Sequence, residues 1–208
     1  ASPLRVHDIA VAYTGFYDEL KRDRASKAIL SPLGLDYKTF FGKKNTMDPY
    51  LAESIASKLI GFPMPPIETI IAGFDGHRLG GHLYAAWGGT LDRQSHTGFS
   101  AIGIGAGHAV SCFMAAGHCG YAPFFKTLLL AYCAKKRAEI APGVGKGTDI
   151  LIHHANKKQE RISEDSPIFS ILEQGYNEII ISELSVKKRV EDKIKDEIQK
   201  AVKSGEIQ

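Results

Sequence analysis

Hydrophobic positions along this chain change their period several times, and each change marks an element. Leu4 to Tyr13 (LRVHDIAVAY) reads as strand, with Asp8 at a turn between two short pieces and Thr14-Gly15 closing it. Phe16 to Leu30 is charged and helix-favouring, with Leu20, Ala28 and Ile29 as inner positions, and Ser31-Pro32-Leu33-Gly34 stops it. Leu35 to Lys44 reads as a loop or a single turn. Asp48 is a good N-cap with Pro49 at the first helical position, which predicts a helix to about Ile60. Its inner face would carry Leu51, Ile55, Ala56 and Leu59. Pro63, Pro65 and Pro66 forbid helix and lead into the next strand.

The stretch from Ile67 to Val110 is the densest in signals. Ile67 to Ala72 is an apolar run ended by Gly73, Asp75-Gly76 supplies a turn, and His82 to Trp87 is a second run closed by Gly88-Gly89. Two strands joined by a tight connection is the simplest account. Phe99 to Ile104 reads as a third, shorter strand. The period then becomes helical, since Ala106, Ala109, Val110, Phe113 and Met114 recur at three and four residues. Antiparallel strands leading into a helix imply an α+β layer protein.

Two helices follow, roughly 106–117 and 123–140, broken by Gly117 and Gly120. The second carries Phe124, Leu128, Ala131 and Tyr132 on one face. Lys135, Lys136 and Arg137 fall in its last turns, where the helix dipole favours cations. Pro142-Gly143 ends it. Thr148 to His154 reads as a strand, Asn156 to Gln159 as a polar turn, and Glu160 to Ser163 as a segment that pairs back. Ser185 to Lys203 reads as a charged amphipathic helix with Val186, Val190, Ile194, Ile198 and Val202 spaced by four. That narrow apolar stripe predicts docking on the body or on a neighbour.

At 208 residues, with 44% hydrophobic and 24% charged content, the chain is long enough for one well-cored domain. A net charge of +3 is too mild to imply nucleic acid. No run of eighteen apolar residues predicts a membrane span, and the start lacks the pattern of a signal peptide. Cys112, Cys119 and Cys133 form neither a disulfide framework nor a CxxC site, so a reduced cytoplasmic compartment is expected.

Three pieces of the central stretch stand in an order that resembles the proteasome family of N-terminal-nucleophile hydrolases, its β-type subunits and their bacterial relatives. They are Ala72-Gly73-Phe74-Asp75, Leu83-Tyr84 with Gly88-Gly89, and Ala101-Ile102-Gly103-Ile104-Gly105 with Ala109. The resemblance covers about Leu4 to Ser163. It implies a four-layer α-β-β-α sandwich of antiparallel sheets over 1–165, lacking its first strands, with a C-terminal extension over 166–208. It also implies amide- or peptide-bond hydrolysis without a cofactor, in a ring or spiral of like subunits acting on peptide or unfolded protein.

In that family an N-terminal threonine hydroxyl is the nucleophile, activated by its own α-amino group, whose ordinary pKa of about 8 leaves a useful neutral fraction. Only three residues precede Leu4 and none is threonine. Ser2 is a weak substitute, because Pro3 follows it directly and no strand precedes it. The receiving side of the site carries over onto Tyr13-Thr14-Gly15. The resemblance makes the Gly15 N–H the oxyanion donor, an interaction worth about 3–4 kcal/mol at the transition state. It places Tyr13, Tyr17 and Lys21 along the substrate pocket. Without the resemblance, Gly15 is a turn glycine and the tyrosines are packing residues. Two departures from the family pattern are Ile104 in place of a serine, and Ala141 to Gly147, which holds neither carboxylate nor serine. Three alternatives stay open: a threonine-type peptidase, a non-catalytic structural subunit, and an amidase acting on small molecules.

Other motifs are better read as local structure. Gly103 to His108 lacks the last glycine of a dinucleotide loop, and Gly143 to Thr148 has the wrong spacing for a phosphate loop and leads into a strand. His153 and His154 are adjacent and point to opposite faces of a strand, and His77 and His82 flank the hairpin turn. No His, Cys or carboxylate set has convincing metal-ligand spacing, and no GxSxG elbow occurs.

Overall fold

The computed structural model describes residues 5–75, 81–156 and 158–204. Ser2, Gly76 and His77 therefore lie outside the described residues. The chain is α+β with small antiparallel sheets, and it divides into two compact units. The first is built from the chain up to Gly103 with the short segments Cys119–Tyr121 and Ala155–Lys157. The second is built from Ile104–His118, Ala122–His154 and the chain from Lys158 onward. The division thus falls inside the stretch that the sequence suggests as one domain over 1–165.

The first unit opens with helix α1 (Val6–Ala25), not with a strand. Leu4 to Tyr13 mimics alternation, yet its inward positions have helical spacing. Val6 and Ala10 are buried while Ile9 and Val11 stay about half exposed. Val6 and Ala10 pack with Tyr84, Ile71 and Leu91 on one face of a three-stranded sheet. That sheet has the order β1 (Glu68–Phe74), β2 (Gly81–Trp87), β3 (Thr90–Arg93), all antiparallel. The third strand is Thr90–Arg93, reached through the two-residue turn Gly88-Gly89 with Gly88 at φ 57°. Phe99 to Ile104, expected to be the third strand, forms none. A π-helical turn (Ser26–Leu30) and a 3-10 turn (Ser31–Leu33) lead to helix α2 (Tyr37–Lys43) and, after a 3-10 turn, helix α3 (Pro49–Ile60). The Asp48 carboxylate caps α3 by accepting from the Leu51 N–H at 3.0 Å. Ile55 and Leu59 join Ala25, Leu30 and Phe40 in a second small core, whereas Leu51, expected inside, is half exposed.

The motif residues of the central stretch serve the docking of α1. The Asp75 carboxylate accepts from the Val6 N–H at 2.6 Å, at the helix end where the dipole favours an anion. Gly73 makes room for Val6, because a methyl at that glycine would lie 2.9 Å from Val6 Cγ2. Packing and capping thus account for Gly73 and Asp75 of that sequence.

The second unit holds helices α4 (Ala106–Ala115) and α5 (Phe124–Ala138), the hairpin of β4 (Ile150–His153) and β5 (Gln159–Ile162), and helix α6 (Pro167–Ser204). Its core is Tyr132, Ile162, Phe169 and Leu172, against which Leu128, Leu129, Ile150, Ile152 and Tyr176 pack. Helix α6 is 38 residues long and starts well before Ser185. Phe169, Leu172 and Tyr176 recur at helical spacing and seat its first turns on α5. From 181 to 200 every residue is exposed.

Candidate functional site

All four residues that the resemblance assigns to a site lie on α1. Gly15 is the tenth residue of that helix, so its N–H is directed at a carbonyl one turn earlier and not at a substrate. The strand-end geometry on which its oxyanion role depends is absent. Tyr13 faces the sheet, where its hydroxyl and the Thr69 hydroxyl are 2.9 Å apart. Lys21 Nζ donates to the Ile60 carbonyl at 3.3 Å, tying α1 to the end of α3. Tyr17 lies over the β2–β3 turn, close enough that a methyl on Gly88 would come within 3.2 Å of its phenol oxygen.

Tyr17 also lines a cavity of about 610 Å³ in the first unit. Strand alternation places most of its sheet-borne lining on one face, with Ala86 of the other face also reaching it. One sheet face, with Ile71, Tyr84 and Leu91, packs on α1. The opposite face carries Glu68, Trp87 and Thr90 in one register row and Ala85 with Asp92 in the next. Those residues line the cavity, with Met64-Pro65-Pro66 and Ala101-Ile102 completing its wall. Trp87 is 70% exposed. Glu68 Oε2 accepts from the Gly103 N–H at 2.7 Å, and the Asp92 carboxylate accepts from the Gln94 side-chain amide. Neither carboxylate forms a salt bridge among the described residues.

A second cavity, of about 580 Å³, lies within the other unit and is lined by His108, Ser111, Cys112, Cys133, Arg137 and Glu183 among others. Arg137 and Glu183 form an ion pair across it. Burial pushes both the Cys112 and Cys133 thiols up, which keeps them protonated and poor as nucleophiles at neutral pH. The Ser111 hydroxyl donates to the Gly107 carbonyl at 2.8 Å, so its proton is engaged by its own helix and not by a base.

The glycine-rich loops are structural as well. Gly105 precedes α4 where a methyl would lie 2.9 Å from Ala138 Cβ. Lys135 Nζ donates to the Gly145 carbonyl at 2.8 Å, and the Thr148 N–H donates to Glu164 at 3.0 Å. These bonds use the 143–148 loop for internal bracing. His82 Nε2 lies 3.3 Å from Asp75 and His154 Nε2 lies 3.4 Å from Glu160, each a single contact. Among the described residues no three His, Cys, Asp or Glu side chains come together as a metal set.

No protein-family model, curated protein or solved structure matches the chain. No helix among the described residues is long and apolar enough to cross a membrane.

The residues that sequence reasoning missed are Glu68, Trp87 and Asp92. The signal that would have found them is the dipeptide Gly88-Gly89, a hairpin turn in its own right. Pairing across that turn sets Trp87 opposite Thr90, and the first hairpin then sets Glu68 beside Trp87.

Proposed function

We propose that this chain is a non-catalytic assembly subunit whose working part is the exposed half of α6, paired with the same segment of a second copy. The observation that carries this is the unbroken exposure of 181–200 along a helix that holds Val186, Val190, Ile194 and Ile198 on one stripe. Most helical stability in proteins comes from packing of an apolar face, and the half-exposed valines and isoleucines of 181–200 contribute that only when a partner covers them. Val186 is 44% exposed and Ile194 is 53% exposed.

The charges beside the stripe favour a like helix. On a 100° wheel Lys193 and Glu197 flank one side of Ile194, and Glu191 and Lys195 flank the other. At Ile194 each side therefore carries one charge of each sign, four residues apart, whereas Val190 has Arg189 and Lys193 together on one side. A second copy can set glutamate against lysine on both sides, whereas a uniformly charged surface would meet as much repulsion as attraction. The four-residue spacing exceeds the helical period of 3.6, so the stripe winds around the axis. Two copies would interleave these ridges at a crossing of about −50°, centred on Ile194.

The magnitude is modest. Covering the exposed half of these four Val and Ile side chains contributes about 3–6 kcal/mol per copy, or roughly twice that for the pair. Association costs about 4–15 kcal/mol, so a surplus remains when that cost is near the low end, and the pair is then weak, of roughly hundred-micromolar to micromolar affinity. Sedimentation of the full chain over a range of concentrations tests this, with Ile194→Asp as the variant that breaks the contact.

The hydrolase and its four-layer sandwich have less support. Both need a strand in the segment that forms α1, and the hydrolase further needs an N-terminal nucleophile beside a free strand-end amide. The ring or spiral of like subunits implied by the same resemblance is compatible with pairing through α6, but does not follow from it.

A further inference from the structure

We propose that the cavity lined by Glu68, Trp87 and Asp92 beside the three-stranded sheet binds an organic cation with an apolar body, such as a quaternary ammonium or a guanidinium. This is independent of the pairing of α6. The cavity combines an exposed indole with two carboxylates whose positions are set by the backbone. Glu68 is the direct cross-strand neighbour of Trp87, and Asp92 is its diagonal neighbour, paired with Ala85. Directly opposite side chains start about 5 Å apart and diagonal ones about 7–8 Å, so both acids flank one indole.

Each carboxylate is held by a single neutral donor, the Gly103 N–H for Glu68 and the Gln94 amide for Asp92. Each retains acceptor capacity, and no lysine or arginine neutralises either among the described residues. The nearby cations point elsewhere: Lys21 donates to the Ile60 carbonyl and Arg93 to the Ser95 hydroxyl. Pro65, Pro66, Met64 and Ile102 give the wall an apolar surface that suits methyl or methylene groups. An anion would be repelled here. A neutral apolar ligand would leave the carboxylates without a counter-charge, and a small hydrated metal ion would gain nothing from the indole. An organic cation uses the aromatic face, the acids and the apolar wall together.

Trp87 is the chain's single tryptophan, so its fluorescence reports the site directly. The full chain is titrated with choline, with its neutral isostere 3,3-dimethylbutanol, and with N-acetyl-arginine amide as the polypeptide-borne form of the charge. The expected result is a saturable change with choline or the arginine amide and at least roughly tenfold weaker binding of the isostere. Glu68→Gln and Asp92→Asn keep the acceptor for Gly103 or Gln94 and remove the charge, and each should weaken cation binding roughly three- to tenfold. Saturation with choline points to a free small cation, and saturation with the arginine amide alone points to a peptide side chain. The proposal is overturned if neither cation gives a saturable change at tens of millimolar, if the isostere binds equally well, or if folded charge-neutral variants bind as the parent does. The isostere comparison stands on the unaltered chain, so misfolding of a variant leaves the test intact.

Discussion

Gly15→Ala separates a helical from an extended start of the chain more cleanly than any other single change. Gly15 lies in the interior of α1, is exposed, and has no atom within 4 Å of the position a methyl would take. Alanine at such a site restricts the unfolded chain and favours helix, so the substitution should stabilise by about 0.5–1 kcal/mol. For a domain of this size that raises the melting temperature by roughly 1–4 °C, readable by far-UV circular dichroism with a denaturant titration as a check. A glycine that ended a strand at positive φ would respond oppositely, losing about 1–2 kcal/mol. A lowered melting temperature would refute the helical account of residues 6–25 and reopen the oxyanion role for Gly15.

Two further predictions concern stability. Gly98 sits at φ 74° where the chain crosses itself, and a methyl there would lie 2.4 Å from Gly120 Cα. Gly98→Ala should therefore cost about 2–5 kcal/mol from backbone strain and overlap, and a thermal melt within a degree of the parent would contradict the crossing. Burial alone would raise the pKa of Glu139, but hydrogen bonds and charge from Lys135 at 2.7 Å and Lys136 at 3.2 Å outweigh it and hold the carboxyl below its ordinary 4.5. Because the folded value is the lower one, the contribution is present above pH 4.5 and is lost as pH falls through the folded value. Glu139→Gln should be less stable than the parent at neutral pH and converge with it in acid, and stability curves that stay parallel through that range would contradict the pairing.

Much of the fold was legible where a chemical signal marks an element's end. Asp48-Pro49 fixed the start of α3, the glycines bounded β1 and β2, and Pro142-Gly143 followed the end of α5. Legibility failed where short apolar runs fit two periods. Leu4 to Tyr13 contains Ile9, Ala10, Val11 and Ala12 in succession, and only contact with the sheet selects Val6 and Ala10 as the inner face. Phe99 to Ile104 has strand composition but forms no ladder, and the short polar Thr90–Arg93 forms one because Gly88-Gly89 returns it to β2. The first half of α6 was overlooked because Gly175 interrupts its pattern, although Phe169, Leu172 and Tyr176 hold it to the core. In the cavity, Tyr17 was legible as a candidate, whereas Glu68 and Asp92 become neighbours of Trp87 only through strand register.

The most direct test of assembly through α6 is sedimentation equilibrium of the full chain beside Ile194→Asp, from tens to hundreds of micromolar. The account predicts a concentration-dependent dimer for the parent and a monomer for the variant, with lower helical content per chain because 181–200 loses its stabilising contact. A parent that stays monomeric throughout, or a variant that associates as strongly, would contradict it.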